Sequence, residues 1–340
     1  MEATKNSVSD ALSRALVALR ENRLGDAEAL SRELLRVSPR DPAAHQLAAT
    51  VALQRASYVE AGVWAGSCLA LRPNHAPAMM LAGSAALASG DATSAKMWFR
   101  RASELSVDEP KPLFQLVLAQ IESSDPEASA TIAELARRFP AEASDWRDIG
   151  LALMRADDLD AAEAAFGRAA RASGDPVHSV NLGRLLLARG RAAEAIAPLR
   201  SALTAAPDRP EALLLLGQAL RQIGAPREAL QHLGRLVELQ PGKASVFYAL
   251  GLVCDDLRNW SGAIAAYGRC IELVPDMPEA HVNLGLALQQ IGELQRAIRC
   301  YRQAMRLRPD TFGRIVQALP STQKGMLWLD TRKLRGSLVG

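Results

Sequence analysis

The side chains able to make or break bonds in this chain are few and scattered. Five histidines, His45, His75, His178, His232 and His281, and four cysteines, Cys68, Cys254, Cys270 and Cys300, are the available metal ligands and nucleophiles. Acidic pairs such as Asp157-Asp158 and Asp255-Asp256 are candidate general acids and bases. The spacings do not organise them. The chain has no H-E-x-x-H, no G-x-x-x-x-G-K-[ST], no G-x-S-x-G and no G-x-G-x-x-G, and its cysteines match no zinc or redox pattern. The acidic pairs fall near helix ends or exposed helix faces, where they read as capping or solvated residues. No catalytic residue, cofactor or metal site is expected, and the chain reads as a non-enzyme. The cysteines read as buried thiols acting as small hydrophobes.

What the chain spaces regularly is small residues and prolines. The stretch Pro278–Asp310 shows the unit, PEAHVNLGLALQQIGELQRAIRCYRQAMRLRPD. Leu284, Gly285 and Leu288 share one face of a first helix, and Ala297, Tyr301 and Ala304 share one face of a second. Ile291-Gly292-Glu293 is the turn between them, and Pro309 stops the second helix for want of an N–H. Stepping back by the same period reaches Pro275, Pro241 and Pro207; Pro140, Pro73 and Pro39 close earlier units, with Val107 and Gly174 in the remaining slots. The units are nine: 8–41, 42–75, 76–109, 110–142, 143–175, 176–209, 210–243, 244–277 and 278–311. Residues 1–7 precede them and are expected to be frayed and disordered.

The small residues have a packing reason. Gly83, Gly150, Gly183, Gly217, Gly251 and Gly285 hold one position in the first helix. Ala27, Ala61, Ala95, Ala128, Ala162, Ala195, Ala229, Ala263 and Ala297 hold one in the second. Two antiparallel helices approach closely only where side chains are small. Phe99, Phe166, Leu199, Leu233, Tyr267 and Tyr301 are then the bulk that fills the groove beside them, and Ala102, Ala169, Ala202 and Ala304 let the next unit dock.

This pattern resembles the tetratricopeptide repeat, a 34-residue helix–turn–helix with W-x2-L-G-x2-Y, then A-x3-F, then P. The fifth unit carries it as Trp146, Ile149, Gly150, Leu153, Ala162 and Phe166. The resemblance implies an all-α solenoid, a right-handed superhelix of antiparallel helix pairs, whose concave face is lined by first helices and binds peptides or proteins. Mapped onto this chain, the concave positions include Met80, Leu81, Phe114, Leu118, Leu151, Val180, Leu187, Leu214, Tyr248, Leu252, Val282 and Leu286. Arg147, Asn181, Arg184, Gln218, Arg221, Asn283 and Gln289 are interspersed. A mainly apolar lining suits a helical or extended peptide with hydrophobic anchors. The competing reading is that these Leu and Val side chains are shared between neighbouring helices.

Arg147, Asn181 and Arg184 form the polar group singled out within that mapping, two guanidiniums and an amide suited to a carboxylate. They resemble the carboxylate clamp of chaperone-binding members, although that clamp's lysines are missing. Pairing of Arg147 with Asp145 or Asp148 is the alternative. His45 and His281 sit in the slot held by Trp146 and read as packing residues.

The fourth unit departs from the rest. It is one residue short, has Val117 in the glycine slot, and joins its helices through the polar Glu122-Ser123-Ser124-Asp125-Pro126. Two readings stand open, a local change of pitch with a hinge, or a harmless deletion.

Composition sets the outer bounds. The net charge over 340 residues is +3, and residues 312–340 account for +4 of it, leaving the repeats near neutral. A near-neutral array lacks the basic stripe that nucleic acid requires, so no nucleic-acid partner is expected. The N-terminus lacks the basic-then-apolar order of a signal peptide, and no apolar run reaches about 18 residues. A cytoplasmic location without membrane insertion is the expectation.

After Thr311 the period breaks. Phe312, Ile315, Val316 and Leu319 offer one apolar face, as a terminal capping helix needs. A basic tail follows, with Trp328, Arg332, Lys333 and Arg335, which either folds back or docks on a partner or another copy. Three functional readings remain: an adaptor holding a peptide or protein segment in its groove, a self-assembling scaffold and hence a homo-oligomer, or an accessory subunit of a separately encoded transferase or secretion system.

Overall fold

The first and second helices of each pair begin and end by local rules. A computed structural model of the protein describes residues 2–139, 143–313, 315 and 336. Among these it shows eighteen α-helices and no strand. They follow as consecutive pairs: α1 (Glu2–Arg20) and α2 (Leu24–Val37), α3 (Pro42–Gln54) and α4 (Tyr58–Leu71), α5 (Ala76–Ala88) and α6 (Ala92–Leu105). Next come α7 (Pro110–Glu122) and α8 (Ala128–Arg138), and α9 (Ala143–Arg155) and α10 (Leu159–Ala172). The chain continues with α11 (Pro176–Ala188) and α12 (Ala192–Ala205), and α13 (Pro210–Gln222) and α14 (Pro226–Leu239). Last are α15 (Ala244–Asp256) and α16 (Trp260–Leu273), and α17 (Pro278–Gln290) and α18 (Leu294–Leu307). The chain divides into two compact units, 1–172 and 173–340, so α1–α10 fall in the first and α11–α18 in the second. Because α1 begins at Glu2, it takes in residues that the sequence left outside the first repeat as frayed.

Helix starts use Asp and Pro together. Asp41 accepts from the Ala43 N–H at 3.0 Å while Pro42 occupies the first turn, where a missing N–H leaves no bond unmade. Asp175 and Pro176 repeat the device, with Asp175 accepting from the Val177 N–H at 2.9 Å.

The turn inside each pair has one geometry. Its second residue is left-handed: Gly90, Gly190, Gly224 and Gly292 in four turns, and Asn22, Ala56, Ser124, Asp157 and Arg258 in the other five. The backbone then closes the first helix with two reversed bonds, such as Gly90 N–H to Leu87 O at 3.0 Å and Asp91 N–H to Ala86 O at 2.9 Å. These satisfy carbonyls that the helix end would otherwise orphan.

Packing inside each pair follows the small residues. A Cβ built on Gly83 would stand 2.5 Å from the Phe99 ring, on Gly183 2.5 Å from Leu199, and on Gly285 2.4 Å from the Tyr301 ring. The bulky side chain of the second helix therefore lies flat against first-helix backbone. Ala27, Ala61, Ala95, Ala162, Ala195, Ala229, Ala263 and Ala297 are all fully buried. Each is the fourth residue of its helix.

Ala128 does not belong to that set. It is only half-buried, and Thr131, the fourth residue of α8, takes the buried slot instead. The Thr131 hydroxyl donates to the Glu127 carbonyl at 3.1 Å, which makes a polar residue tolerable there. The cause is the turn, 123–127, which has five residues where every other such turn has three. The second helix compensates by running 11 residues instead of the 14 of the other second helices. Val117, fully buried, occupies the place where glycine admits a ring elsewhere. Lys96 Nζ lies 2.6 Å from Asp125 Oδ2, and Arg100 pairs with Glu127, so α6 holds the longer turn at two points.

At the far end Phe312 and the fully buried Ile315 pack on Val282, Leu288, Tyr301 and Met305 of the last pair. Val316, Leu319 and the tail residues Trp328, Arg332, Lys333 and Arg335 lie outside the described residues, as does Pro140.

Candidate functional site

The histidines are structural where the sequence placed them together. His45 Nε2 donates to the Pro39 carbonyl at 2.9 Å and His281 Nε2 to the Pro275 carbonyl at 2.8 Å. Each ring ties a first helix to the proline that closed the preceding unit. All four cysteines are free; Cys68, Cys254 and Cys270 are buried and Cys300 half-buried. Burial pushes each of these thiols up, away from the reactive thiolate. Among the described residues no three His, Cys, Asp or Glu side chains group as metal ligands. No described helix is long and apolar enough to cross a membrane.

Among the described residues, first helices line a concavity in each compact unit. In the second unit a cavity of about 420 Å³ opens between α13 and α15. Its lining includes Leu214, Gln218, Arg221, Tyr248 and Leu252, all mapped in advance, and Ser245, Ala249 and Val253, which were not. In the first unit a cavity of about 440 Å³ is lined from α3, α5 and α7 by Gln46, Thr50, Met80, Leu81, Ser84 and Gln115, among others. Of these only Met80 and Leu81 were mapped.

The two cavities use the same places in the repeat. Gln46 and Met80 share one position and Thr50 and Ser84 share another, one turn further along the helix. Leu214 and Tyr248, then Gln218 and Leu252, hold those same two positions in the second unit. Repeat register was therefore the signal that would have found Gln46, Thr50 and Ser84.

In three other repeats the first of those positions is closed, while Leu151 and Arg184 at the second stay exposed. Val180 and Val282 are fully buried, so they are core side chains shared between helices. Phe114, Asn181 and Asn283 are also buried. Asn283 Nδ2 donates to Tyr248 Oη at 3.2 Å, which orients the phenol at the edge of the second cavity. Gln289 is fully buried and accepts from Tyr301 Oη at 2.8 Å.

The arginines are engaged within the chain. Arg147 lies 2.8 Å from Asp148, Arg184 pairs with Glu211, and Arg221 Nε lies 2.6 Å from Asp256 Oδ2. Beneath the second cavity, Tyr248 and Tyr267 have ring centroids 5.9 Å apart. Tyr267 Oη in turn donates to Asp255 Oδ2 at 2.6 Å. Burial pushes the Asp255 carboxyl up to about 6, and burial together with Asp255 pushes the Tyr267 phenol up as well.

Paired helices, a glycine under each bulky side chain and open first-helix faces define an all-α repeat scaffold. Models described as "Tetratricopeptide repeat" match residues 186–251 and 278–311, and one described as "TPR repeat" matches 256–292. The chain carries tetratricopeptide repeats. No curated protein matches it.

Several solved structures are similar in fold. The crystal structure of MamA protein is 26% identical over 50% of this chain and 93% of its own, with a TM-score of 0.47. MamA from Desulfovibrio magneticus RS-1 is 24% identical over 49% of this chain and 96% of its own, with a TM-score of 0.47. YrrB, titled a TPR protein with an unusual peptide-binding site, is 19% identical over 52% of this chain and 92% of its own, with a TM-score of 0.47.

Proposed function

We propose that the protein is a non-catalytic interaction scaffold that holds a segment of a partner protein against its first helices, through an apolar side chain seated between α13 and α15. The observation that carries this is the cavity of about 420 Å³ walled by Leu214, Tyr248 and Leu252 with Gln218 exposed at its rim. Its walls suit a leucine- or phenylalanine-sized anchor, and the Gln218 amide can serve the peptide backbone. Arg221 is already satisfied by Asp256, which favours an apolar anchor over an acidic one. A peptide carboxylate would likewise have to displace Asp148 from Arg147 or Glu211 from Arg184.

The test is selection from a displayed random-peptide library on the immobilised full-length chain, followed by fluorescence polarisation with the enriched peptides. Leu214→Glu should weaken binding by at least about tenfold, equivalent to about 1.4 kcal/mol. Arg184→Ala should leave it nearly unchanged. Equal affinity for Leu214→Glu and the parent would overturn the groove reading. Loss on Arg184→Ala alone would favour carboxylate capture instead.

A further inference from the structure

A carboxyl group stands at the end of one wall of the cavity between α13 and α15. Tyr248, Leu252 and Asp255 are spaced four and three residues apart, so they share one stripe of α15. The first two line the cavity, and Asp255 follows them at the next turn. It holds the repeat position that Arg221 holds on α13, where the arginine lines the same cavity.

Asp255 is poorly placed to carry a charge. Its Oδ2 accepts from Tyr267 Oη at 2.6 Å, but its Oδ1 is buried and has no hydrogen-bond partner among the described residues. A buried carboxylate oxygen left unpaired disfavours the ionised form. Burial, and then the charge of Asp256, push the carboxyl up to about 6, against the Tyr267 bond and the charge of Arg221 from α13. Burial, and then the Asp255 charge, push the adjacent Cys254 thiol up as well. The other elements packed on α15 bring uncharged groups. From α14 come Leu230, Leu233 and Leu236, and from α17 the Asn283 amide that donates to Tyr248.

Two links tie this carboxyl to what the cavity holds. The Tyr267 ring, whose hydroxyl bonds Asp255, lies 5.9 Å from the ring of Tyr248 in the cavity wall. Arg221, also in the wall, is held at 2.6 Å by Asp256, the carboxylate next in the chain. An apolar side chain entering between these residues displaces water and lowers the local polarity. The uncharged form of Asp255 is then favoured more strongly than in the free chain. Binding takes up a proton, and by reciprocity a proton favours binding.

We propose that seating an apolar anchor between α13 and α15 is coupled to protonation of Asp255, so that the site holds its partner more tightly in mildly acid solution than in neutral solution. The coupling rests on the anchor occupying that cavity, as in the function proposed above. Its sign follows from the carboxyl titrating higher in the complex than in the free chain. Affinity is lowest above about pH 7.5, rises as the pH falls through about 6, and levels off below about 5.

The probes are library-selected peptides that bind the full-length chain and that Leu214→Glu fails to bind. They are made with blocked termini and without His, Asp or Glu, so that they do not titrate. Polarisation with a pH-insensitive dye should show affinity rising about threefold or more between about pH 7.5 and about pH 5.5. Calorimetry near pH 6.5 in two buffers of different ionisation enthalpy should show net proton uptake on binding. Asp255→Asn, a neutral side chain that still accepts from Tyr267, should bind at neutral pH about as tightly as the parent does in acid. It should show neither the pH dependence nor the proton uptake. His232→Gln, which removes an imidazole from α14, should leave both unchanged. Affinity independent of pH, or a pH dependence that Asp255→Asn retains, overturns the coupling and leaves the groove reading standing. If no selected peptide is sensitive to Leu214→Glu, the groove reading falls and the coupling falls with it.

Discussion

Tyr267 Oη and Asp255 Oδ2 are joined by a 2.6 Å hydrogen bond, and one repeat later Tyr301 Oη and Gln289 Oε1 are joined by one of 2.8 Å. Both phenols lie against first-helix glycines, Gly251 and Gly285, and both acceptors stand one helical turn beyond those glycines. Where the bulky residue is Phe99 or Phe166 and has no hydroxyl, the same acceptor position holds Leu87 or Met154. The chain thus supplies an acceptor in the repeats whose buried ring needs one.

The first prediction concerns pH. Burial, then the charge of Asp256, raises the Asp255 carboxyl from 3.8 to about 6, against the opposing Tyr267 bond and Arg221 charge. The folded chain therefore holds a proton that the unfolded chain releases. Lowering the pH from 7 through 6 toward 4 should stabilise the fold through this group, and raising it should remove that contribution. Below about 4 the carboxylates held low by partners, Asp91, Asp125, Glu194 and Asp208, act the other way. Melting temperatures at pH 7 and pH 5 should differ less in Asp255→Asn than in the parent; an equal difference would refute the assignment.

Two glycines should respond with opposite sign. Gly285→Ala drives a methyl to 2.4 Å from the Tyr301 ring and should destabilise by roughly 1–3 kcal/mol. Gly234, inside α14, has nothing within 4 Å of its added Cβ, so Gly234→Ala should stabilise by about 0.5–1 kcal/mol through helix propensity alone. Urea unfolding of the pair measures both.

The left-handed turn residues offer a third test. Ala56 has φ 58° and Arg258 φ 55°, a conformation that a Cβ disfavours. Ala56→Gly and Arg258→Gly should each stabilise by about 1 kcal/mol. No gain in either melting temperature would mean that the turns are not held in this geometry in solution.

The long turn at 123–127 gives the fourth. Lys96 and Asp125 are both largely buried, at 23% and 15% side-chain exposure, so their 2.6 Å pair is shielded from solvent. Lys96→Ala should speed amide exchange across 123–127 while leaving the three-residue turn at 89–91 unchanged. A hinge there would show as faster exchange at 123–127 already in the parent; equal protection of both turns in the parent would dispose of it.

Most of the architecture is written locally. Prolines that close helices, glycine under each ring and alanine at the fourth place of eight of the nine second helices are short-range necessities, so they recur at a fixed period and can be read without coordinates. Ala128 misled because its pattern matched while its turn did not: two extra turn residues shift which side chain meets the core, and only packing reveals that Thr131 does. Repeat register picks out Leu214, Gln218, Arg221 and Tyr248, which line the cavity between α13 and α15, yet Val180 and Val282, which it picks out as well, are core.

The sequence by itself determined the repeat, its helix ends and the glycine-to-ring packing, because each depends on residues within one unit. Tertiary structure alone decided which first-helix faces stay open and which guanidiniums are spoken for. Arg184 meets Glu211 and Arg221 meets Asp256 across helices of neighbouring repeats, and an ion pair or cavity of that kind depends on how far one unit rotates on the next. No periodic pattern within a unit records that rotation, since it is set by the summed fit of many side chains at the interface between units.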